Sequence, residues 1–164
     1  MCEKKWYALY TRSRAEKKVL IELQEMGVQA YLPLINTLRQ WSDRKKKVEV
    51  PLIPGYIFVK TELKQIPILL NVDAAIKIIA FEGKYISIPE NQIKTIQTLI
   101  EKGYSLSASN QTVVKGDTVK IASGSLKGLK GEVLESSGGK KFILRIEIGY
   151  TLIVNLKNTE VIKV

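Results

Sequence analysis

The sequence predicts an α+β protein in two parts, an N-terminal antiparallel α/β sandwich and a small C-terminal β-barrel. Three observations predict it. Over residues 1–104, apolar strand-like runs alternate with segments of helical period and are joined by hairpin-length turns, which points away from a parallel α/β fold. Residues 105–112, with Ser105, Ser107, Ser109, Asn110, Gln111 and Thr112, form a polar stretch that reads as a linker. Over 113–164 no helical period remains, and short alternating runs are punctuated by glycine.

Taken in order, Trp6–Tyr10 is aromatic and apolar and predicts a strand. Ser13-Arg14-Ala15-Glu16 then has capping-box spacing: a serine oxygen placed to accept from the Glu16 N–H, and a glutamate placed to return the bond. Behind it Ala15, Val19, Leu23 and Met26 share a helical stripe with Leu20 beside them, and Gly27 stands where a left-handed C-terminal cap belongs. The opposite face carries Arg14, Lys17, Lys18, Glu22 and Glu25. Val28–Leu34 predicts a second strand, followed by a basic loop. A third strand runs Pro51–Val59, with Pro54 at its beginning or edge because proline donates no ladder bond. A short helix is predicted over Ile66–Val72, and Ala75–Ala80 pairs with Tyr85–Ile88 as a hairpin across 81–84. Pro89 and Glu90 open another helix, with Ile93, Ile96 and Ile100 on one face and Gly103 closing it. Beyond the linker, Val119 and Ile121 alternate, as do Phe142, Leu144 and Ile146, then Leu152, Val154 and Leu156, among Gly124, Gly128, Gly131 and Gly138-Gly139. A closed barrel is the economical arrangement, since so short an open sheet leaves two sticky edges over little core.

The charge is uneven. Residues 1–104 hold 17 basic and 11 acidic groups, and 105–164 hold 9 and 5, which together make the net +10. Five cations, Arg39, Arg44, Lys45, Lys46 and Lys47, fall within nine residues against the single Asp43; Arg12, Arg14, Lys17 and Lys18 form a second group. Clustering of this kind indicates a polyanion, nucleic acid or a nucleic-acid machine, against the alternative of a lysine-rich solvated surface.

Composition also excludes chemistry. With one cysteine, Cys2, and no histidine among 164 residues, there is no histidine base, no Ser-His-Asp or Cys-His nucleophile, no Cys/His zinc site and no intrachain disulfide. Cys2 reads as an ordinary thiol near the chain end. The carboxylates are scattered and no phosphate-cradling glycine loop leads into a helix, which argues against a small hydrolase. The expectation is a binding protein with no catalytic residue, metal or cofactor. No run of eighteen apolar residues exists and the N-terminus lacks an apolar signal core, so a cytoplasmic protein with no membrane partner is expected.

Two motifs carry more. Gly116-Asp117-x-Val119-x-Ile121, continuing to Lys127-Gly128-Leu129-Lys130-Gly131-Glu132-Val133, resembles the KOW motif of ribosomal proteins and elongation factors, with Ser125 where that family often has proline. Here Gly116-Asp117 turns into a strand, Val119, Ile121 and Val133 face a core, and Gly128 and Gly131 permit positive φ or close backbone approach. Trp6-Tyr7-Ala8-Leu9-Tyr10 and Pro54-Gly55-Tyr56-Ile57-Phe58-Val59 look like the first and third strands of the N-terminal domain of NusG-type transcription elongation factors. The order of aromatic strand, amphipathic helix, Tyr-Leu-Pro strand at 31–33, basic loop, PGY strand, hairpin, Ile-Pro-Glu helix, linker and KOW domain matches over essentially the whole chain. Leu38-Arg39-Gln40-Trp41-Ser42-Asp43-Arg44-Lys45-Lys46 before Val50-Pro51-Leu52 looks most like the UpxY-type paralogues, specialised antiterminators of bacterial surface-polysaccharide operons.

The resemblance implies a NusG-type domain over 1–104, a linker over 105–112 and an SH3-like KOW barrel over 113–164. It implies that the first domain binds the clamp helices of RNA polymerase's largest subunit and suppresses pausing and termination. Docking aromatics fall on Tyr10, Tyr56 and Phe58, where plain core is the alternative. Arg12, Arg14 and Lys17 fall near the non-template or upstream DNA, and Arg39, Arg44, Lys45, Lys46 and Lys47 add nucleic-acid affinity. The KOW domain would recruit a small-subunit ribosomal protein or Rho. A ribosome-associated KOW-type RNA-binding protein is the competing reading; it needs the barrel but not the PGY strand.

Overall fold

A computed structural model describes residues 3–111, 115–122, 127–136, 139–156 and 161–163. Cys2, Thr112, Gly124, Ser125 and Gly138 lie outside the described residues. The chain divides into two compact units, Met1–Ile93 and Lys94–Val164.

The first unit is built on an antiparallel sheet. β1 (Lys5–Thr11) leads to α1 (Glu16–Glu25), β2 (Gln29–Tyr31), β3 (Leu34–Gln40), β4 (Lys45–Pro51) and β5 (Tyr56–Thr61). A 3-10 turn at Leu63–Gln65 runs into α2 (Ile66–Leu69), followed by β6 (Ala75–Ile78), β7 (Ala80–Phe81) and β8 (Lys84–Tyr85). The sheet order is β2-β5-β1-β6, while among the described residues β3 pairs only with β4 and β7 only with β8. Period-two alternation assigns the faces. Tyr7 and Leu9 of β1, Ile57 and Val59 of β5 and Ile78 of β6 join Val19 and Leu23 of α1 and Ile66 and Leu69 of α2 in one buried cluster. The helices therefore cover that face and bury its aliphatic side chains, at roughly 1.5–3 kcal/mol for each fully buried one.

Several expectations need correction. The capping box does not form: Ala15 is the N-cap and makes no side-chain capping bond. Arg14 adopts φ 63, which turns the backbone before the helix begins. Glu16, 6% exposed, instead sends Oε1 across to accept the backbone N–H of Gly55 at 2.8 Å. The helix does close as expected: the N–H groups of Gly27 and Val28 donate to Gln24 and Leu23 carbonyls at 3.0 Å, with Gly27 at φ +76. Met26, placed on the buried stripe, is exposed, because the cap swings the chain away one residue later.

The predicted Val28–Leu34 strand ends at Tyr31, and β5 begins only at Tyr56, since Pro51 closes β4 and residues 52–55 turn. The predicted Ile66–Val72 helix is shorter, ending at Leu69. The 75–88 hairpin is also split. β6 joins the main sheet, Leu9 opposite Ile78, because that buries Ile78; only β7 and β8 pair as a hairpin. Its two central residues, Glu82 at φ 50 and Gly83 at φ 77, provide the positive angles that a two-residue hairpin turn requires.

α3 (Glu90–Glu101) contains the boundary between the units. Its buried stripe is Ile93, Ile96 and Leu99; Ile100, expected on that stripe, is only half-buried. Gly103 at φ +75 closes it, with Tyr104 N–H donating to the Leu99 carbonyl at 3.1 Å.

The second unit is a six-stranded antiparallel ladder of β9 (Leu106–Ser109), β10 (Asp117–Ile121), β11 (Lys130–Ser136), β12 (Gly139–Arg145), β13 (Thr151–Leu156) and β14 (Val161–Lys163). Its order is β14-β10-β11-β12-β13-β9. Val119, Ile121, Val133, Phe142, Ile146, Leu152, Val154 and Leu156 are buried as expected, but Leu144, expected with them, is only half-buried and its neighbour Ile143 is buried instead. The stretch read as linker contains β9, which pairs Leu106 with Val154 and Ser109 with Thr151. The apolar edge of β13 is enough to hold it despite its polar composition. Gly128 takes φ +96, and a side chain at Gly131 would overlap the Phe142 ring. Gly116 donates its N–H to Glu132 Oε2 at 3.0 Å, while Arg145 grips the same carboxylate at 2.8 and 3.1 Å.

Two predictions follow from these bonds. Glu16→Ala strands the Gly55 N–H and is expected to cost about 2 kcal/mol, whereas Glu16→Gln keeps an acceptor and costs less; urea denaturation midpoints measure both. The Arg145 hydrogen bond holds the Glu132 carboxyl below its ordinary 4.5, against the opposing effect of burial. Its contribution is complete above pH 4.5 and is lost as pH falls through the lower folded value. Glu132→Gln should therefore destabilise the protein at pH 7 by about 1 kcal/mol after solvent screening, and the difference from wild type should close in acid.

Candidate functional site

The second face of the main sheet carries the residues that alternate with the aliphatic cluster. Trp6, Ala8 and Tyr10 of β1 stand opposite Lys60, Phe58 and Tyr56 of β5, and Lys77 of β6 lies beside Tyr10. Burial falls along this face. Trp6 and Ala8 are buried and Phe58 is 0% exposed, whereas Tyr10 and Tyr56 are half-buried and Lys77 is exposed. The two tyrosine rings lie 5.2 Å apart at 46°.

Their position is set by the turn into β5. Gly55 has φ +86, and a side-chain carbon there would come within 3.0 Å of the Tyr10 ring. Its N–H goes to Glu16 and its carbonyl accepts the Thr11 N–H at 2.8 Å. Thus the end of β1, the start of α1 and the start of β5 meet at one residue, and the tyrosine pair stands over it. The resemblance placed Phe58 with this pair as a docking residue; that assignment is corrected, because a fully buried ring has no surface to offer. Tyr10 and Tyr56 remain.

Arg12, Arg14 and Lys17 are all exposed around the entry to α1. Arg12 is anchored through its backbone, whose N–H donates to the Ala74 carbonyl at 2.9 Å. Lys17 lies 3.6 Å from Glu49 and Lys18 lies 2.8 Å from Asp73. The Lys18 hydrogen bond and charge lower the Asp73 pKa, with Arg12 adding to the effect, and the same bond raises that of Lys18. The carboxylates at Glu49 and Asp73 temper the lysines, which leaves Arg12 and Arg14 forming no ion pair among the described residues.

The basic segment is no loop. Arg39 belongs to β3 and Lys45, Lys46 and Lys47 to β4, in a two-stranded ribbon with Arg44 at its tip. Its composition predicts a loop because its apolar residues, Leu38 and Trp41, are isolated among charges; pairing, not burial, makes it strand. The Leu52 N–H, donating to the Pro33 carbonyl at 2.8 Å, closes the root between buried Leu32 and Leu52. Half-buried Ile35, Val48 and Val50 stiffen the base. Towards the tip the pairs become Leu38 with Lys47, Arg39 with Lys46 and Gln40 with Lys45. None of the five cations forms an ion pair among the described residues. Trp41, which the composition reading passed over as a site residue, ends the ribbon 51% exposed.

In the second unit, Gly116, Asp117, Gly128 and Gly131 shape turns and close strand crossings. Among the described residues no helix is long and apolar enough to cross a membrane.

The geometry separates core from surface by measurement. Phe58→Ala should cost about 3–5 kcal/mol of stability. Tyr56→Ala, at a half-buried site, should cost about 1–2 kcal/mol. Thermal and urea unfolding of the two variants check this difference.

The family model NusG, described as "Transcription termination factor nusG", matches residues 4–97, more than half of the chain. Among solved structures the chain is similar to "Domain interaction in Thermotoga maritima NusG", at 22% identity, with 98% of this chain and 97% of that one covered and a TM-score of 0.55. More distant likenesses are to chains of the MjSpt4:Spt5 complex: conformation B at 16% identity, 96% and 97% coverage and TM-score 0.34, and conformation A at 15%, 96% and 98%, and 0.30. No curated protein sequence matches.

Proposed function

The chain belongs to the NusG family of transcription factors, and we propose that it is a non-enzymatic elongation and antitermination factor whose N-terminal unit binds RNA polymerase. The observation that carries this reading is the Tyr10–Tyr56 pair: two half-buried aromatics 5.2 Å apart on a sheet face whose other rings, Trp6 and Phe58, are buried. Tyrosine suits a protein contact because its ring buries area while its hydroxyl keeps a polar partner. The proposed partner is the clamp-helix coiled coil of the polymerase's largest subunit.

Arg12 and Arg14, exposed beside that pair, would then face the non-template or upstream DNA, with the basic ribbon adding phosphate contacts. Holding the clamp closed from this position suppresses pausing and lets polymerase read through terminators. The Leu38–Lys46 segment supports a UpxY-type specialisation for surface-polysaccharide operons. The second unit, read as a KOW barrel on Gly116, Asp117, Gly128 and Gly131, would recruit a small-subunit ribosomal protein or Rho.

The test is polymerase pull-down joined to transcription through an intrinsic terminator. Wild type should bind and raise read-through. Tyr10→Ala and Tyr56→Ala should each weaken binding by about thirtyfold, equivalent to about 2 kcal/mol at a central anchor, while remaining folded. Folded variants that bind polymerase like wild type would remove the docking assignment, and co-sedimentation with ribosomes in place of polymerase would overturn the reading itself.

A further inference from the structure

The ribbon tip combines features that charge alone does not explain. In β3 and β4, directly opposite residues share a face, so Arg39 and Lys46 stand on the same side. One further bond, Trp41 N–H to the Arg44 carbonyl at 2.7 Å, extends the ladder and puts Trp41 and Arg44 next along that side. Like charges opposed across a ladder destabilise it, and here no carboxylate pairs with them among the described residues. A large ring left half in solvent adds an apolar cost. Both costs disappear together if the ligand brings a flat π-surface for the ring and phosphates for the cations.

We propose that the tip binds an unpaired nucleotide, its base stacked on the Trp41 indole and its flanking phosphates held by Arg39, Arg44 and Lys46. This rests on the nucleic-acid role given to the ribbon above and names what the ribbon recognises. A duplex would satisfy the cations but not the ring, because its bases are already stacked. An acidic protein surface would likewise leave the ring without a partner plane. Stacking tolerates any base, so the site measures single-strandedness rather than sequence.

Tryptophan emission tests this directly. The chain holds two tryptophans, and Trp6 is 4% exposed, so quenching by an added strand reports on Trp41. The full-length protein is titrated with a single-stranded DNA of about 12 nucleotides, the RNA of the same sequence, and the DNA duplex, each over a range of salt. Quenching by a single strand is expected in wild type. Affinities of all variants are read from the fluorescence anisotropy of a dye-labelled strand, which needs no tryptophan; weaker binding of the duplex and a loss of roughly tenfold or more in Trp41→Ala, largely recovered in Trp41→Phe, are expected there. The salt slope should stay unchanged in Trp41→Ala. In the Arg39→Gln, Lys46→Gln double variant it should flatten by about 1.4 log–log units, since each phosphate neutralised on a single strand contributes about 0.7. The DNA and RNA arms decide which strand the tip prefers. Equal affinity of Trp41→Ala and wild type would overturn the stacking site while leaving the ribbon a phosphate binder. Duplex bound as well as single strand would also overturn it, and no binding by wild type would overturn the ribbon's nucleic-acid role as well.

Discussion

The bond between the Glu16 carboxylate and the Gly55 N–H, 2.8 Å long and buried, is the constraint around which the first unit is arranged. A buried carboxylate is costly unless it is satisfied, and this one has a fixed donor and the positive end of its own helix. Gly55 in turn accepts from Thr11, so one residue fixes where β1 ends, where α1 begins and how β5 leaves its turn. The left-handed turn at Arg14 and the positive φ at Gly55 are the local costs of that convergence. What it yields is a rigid floor under the Tyr10–Tyr56 pair and an exposed rim at Arg12 and Arg14.

The sheet divides its labour by parity. Alternate residues of β1 and β5 serve the cluster under α1 and α2, and the remaining ones pass from buried Trp6, Ala8 and Phe58 to half-buried Tyr10 and Tyr56. A change of exposure within a single face lets one strand be structural at its middle and available at its end. The aliphatic cluster holds the strands to the helices, so the tyrosines can remain at the surface without loss of the fold.

The ribbon obeys a different economy. A two-stranded ladder has little stability of its own, and this one is held at its root, by half-buried aliphatic residues at its base and by the Lys17–Glu49 ion pair to α1. Beyond them the pairing brings cations together. The exposed, closely set cations suit contact with a polyanion.

Much was legible in the residues themselves. Alternation marked most buried positions of both sheets, Leu144 excepted, Gly27 and Gly103 marked two helix ends, and the charge count located the basic arm, because each depends only on neighbours along the chain. The spacing of Ser13 and Glu16 was equally legible and led to the wrong bond, since a capping box is local whereas the donor Glu16 found, at Gly55, is brought near only by folding. Parity put Phe58 and Tyr56 on one face but could not rank their exposure, which depends on what covers each end of the strand. Nor could composition give strand structure to Leu106–Ser109 or to the basic segment: a strand of polar residues is made by its partner's edge, and β13 and the β3–β4 register exist only in the folded chain. Sequence by itself determined which residues seek burial and where the charge lies; the tertiary structure decided which polar groups meet, because hydrogen-bond partners distant in the chain leave no period to read.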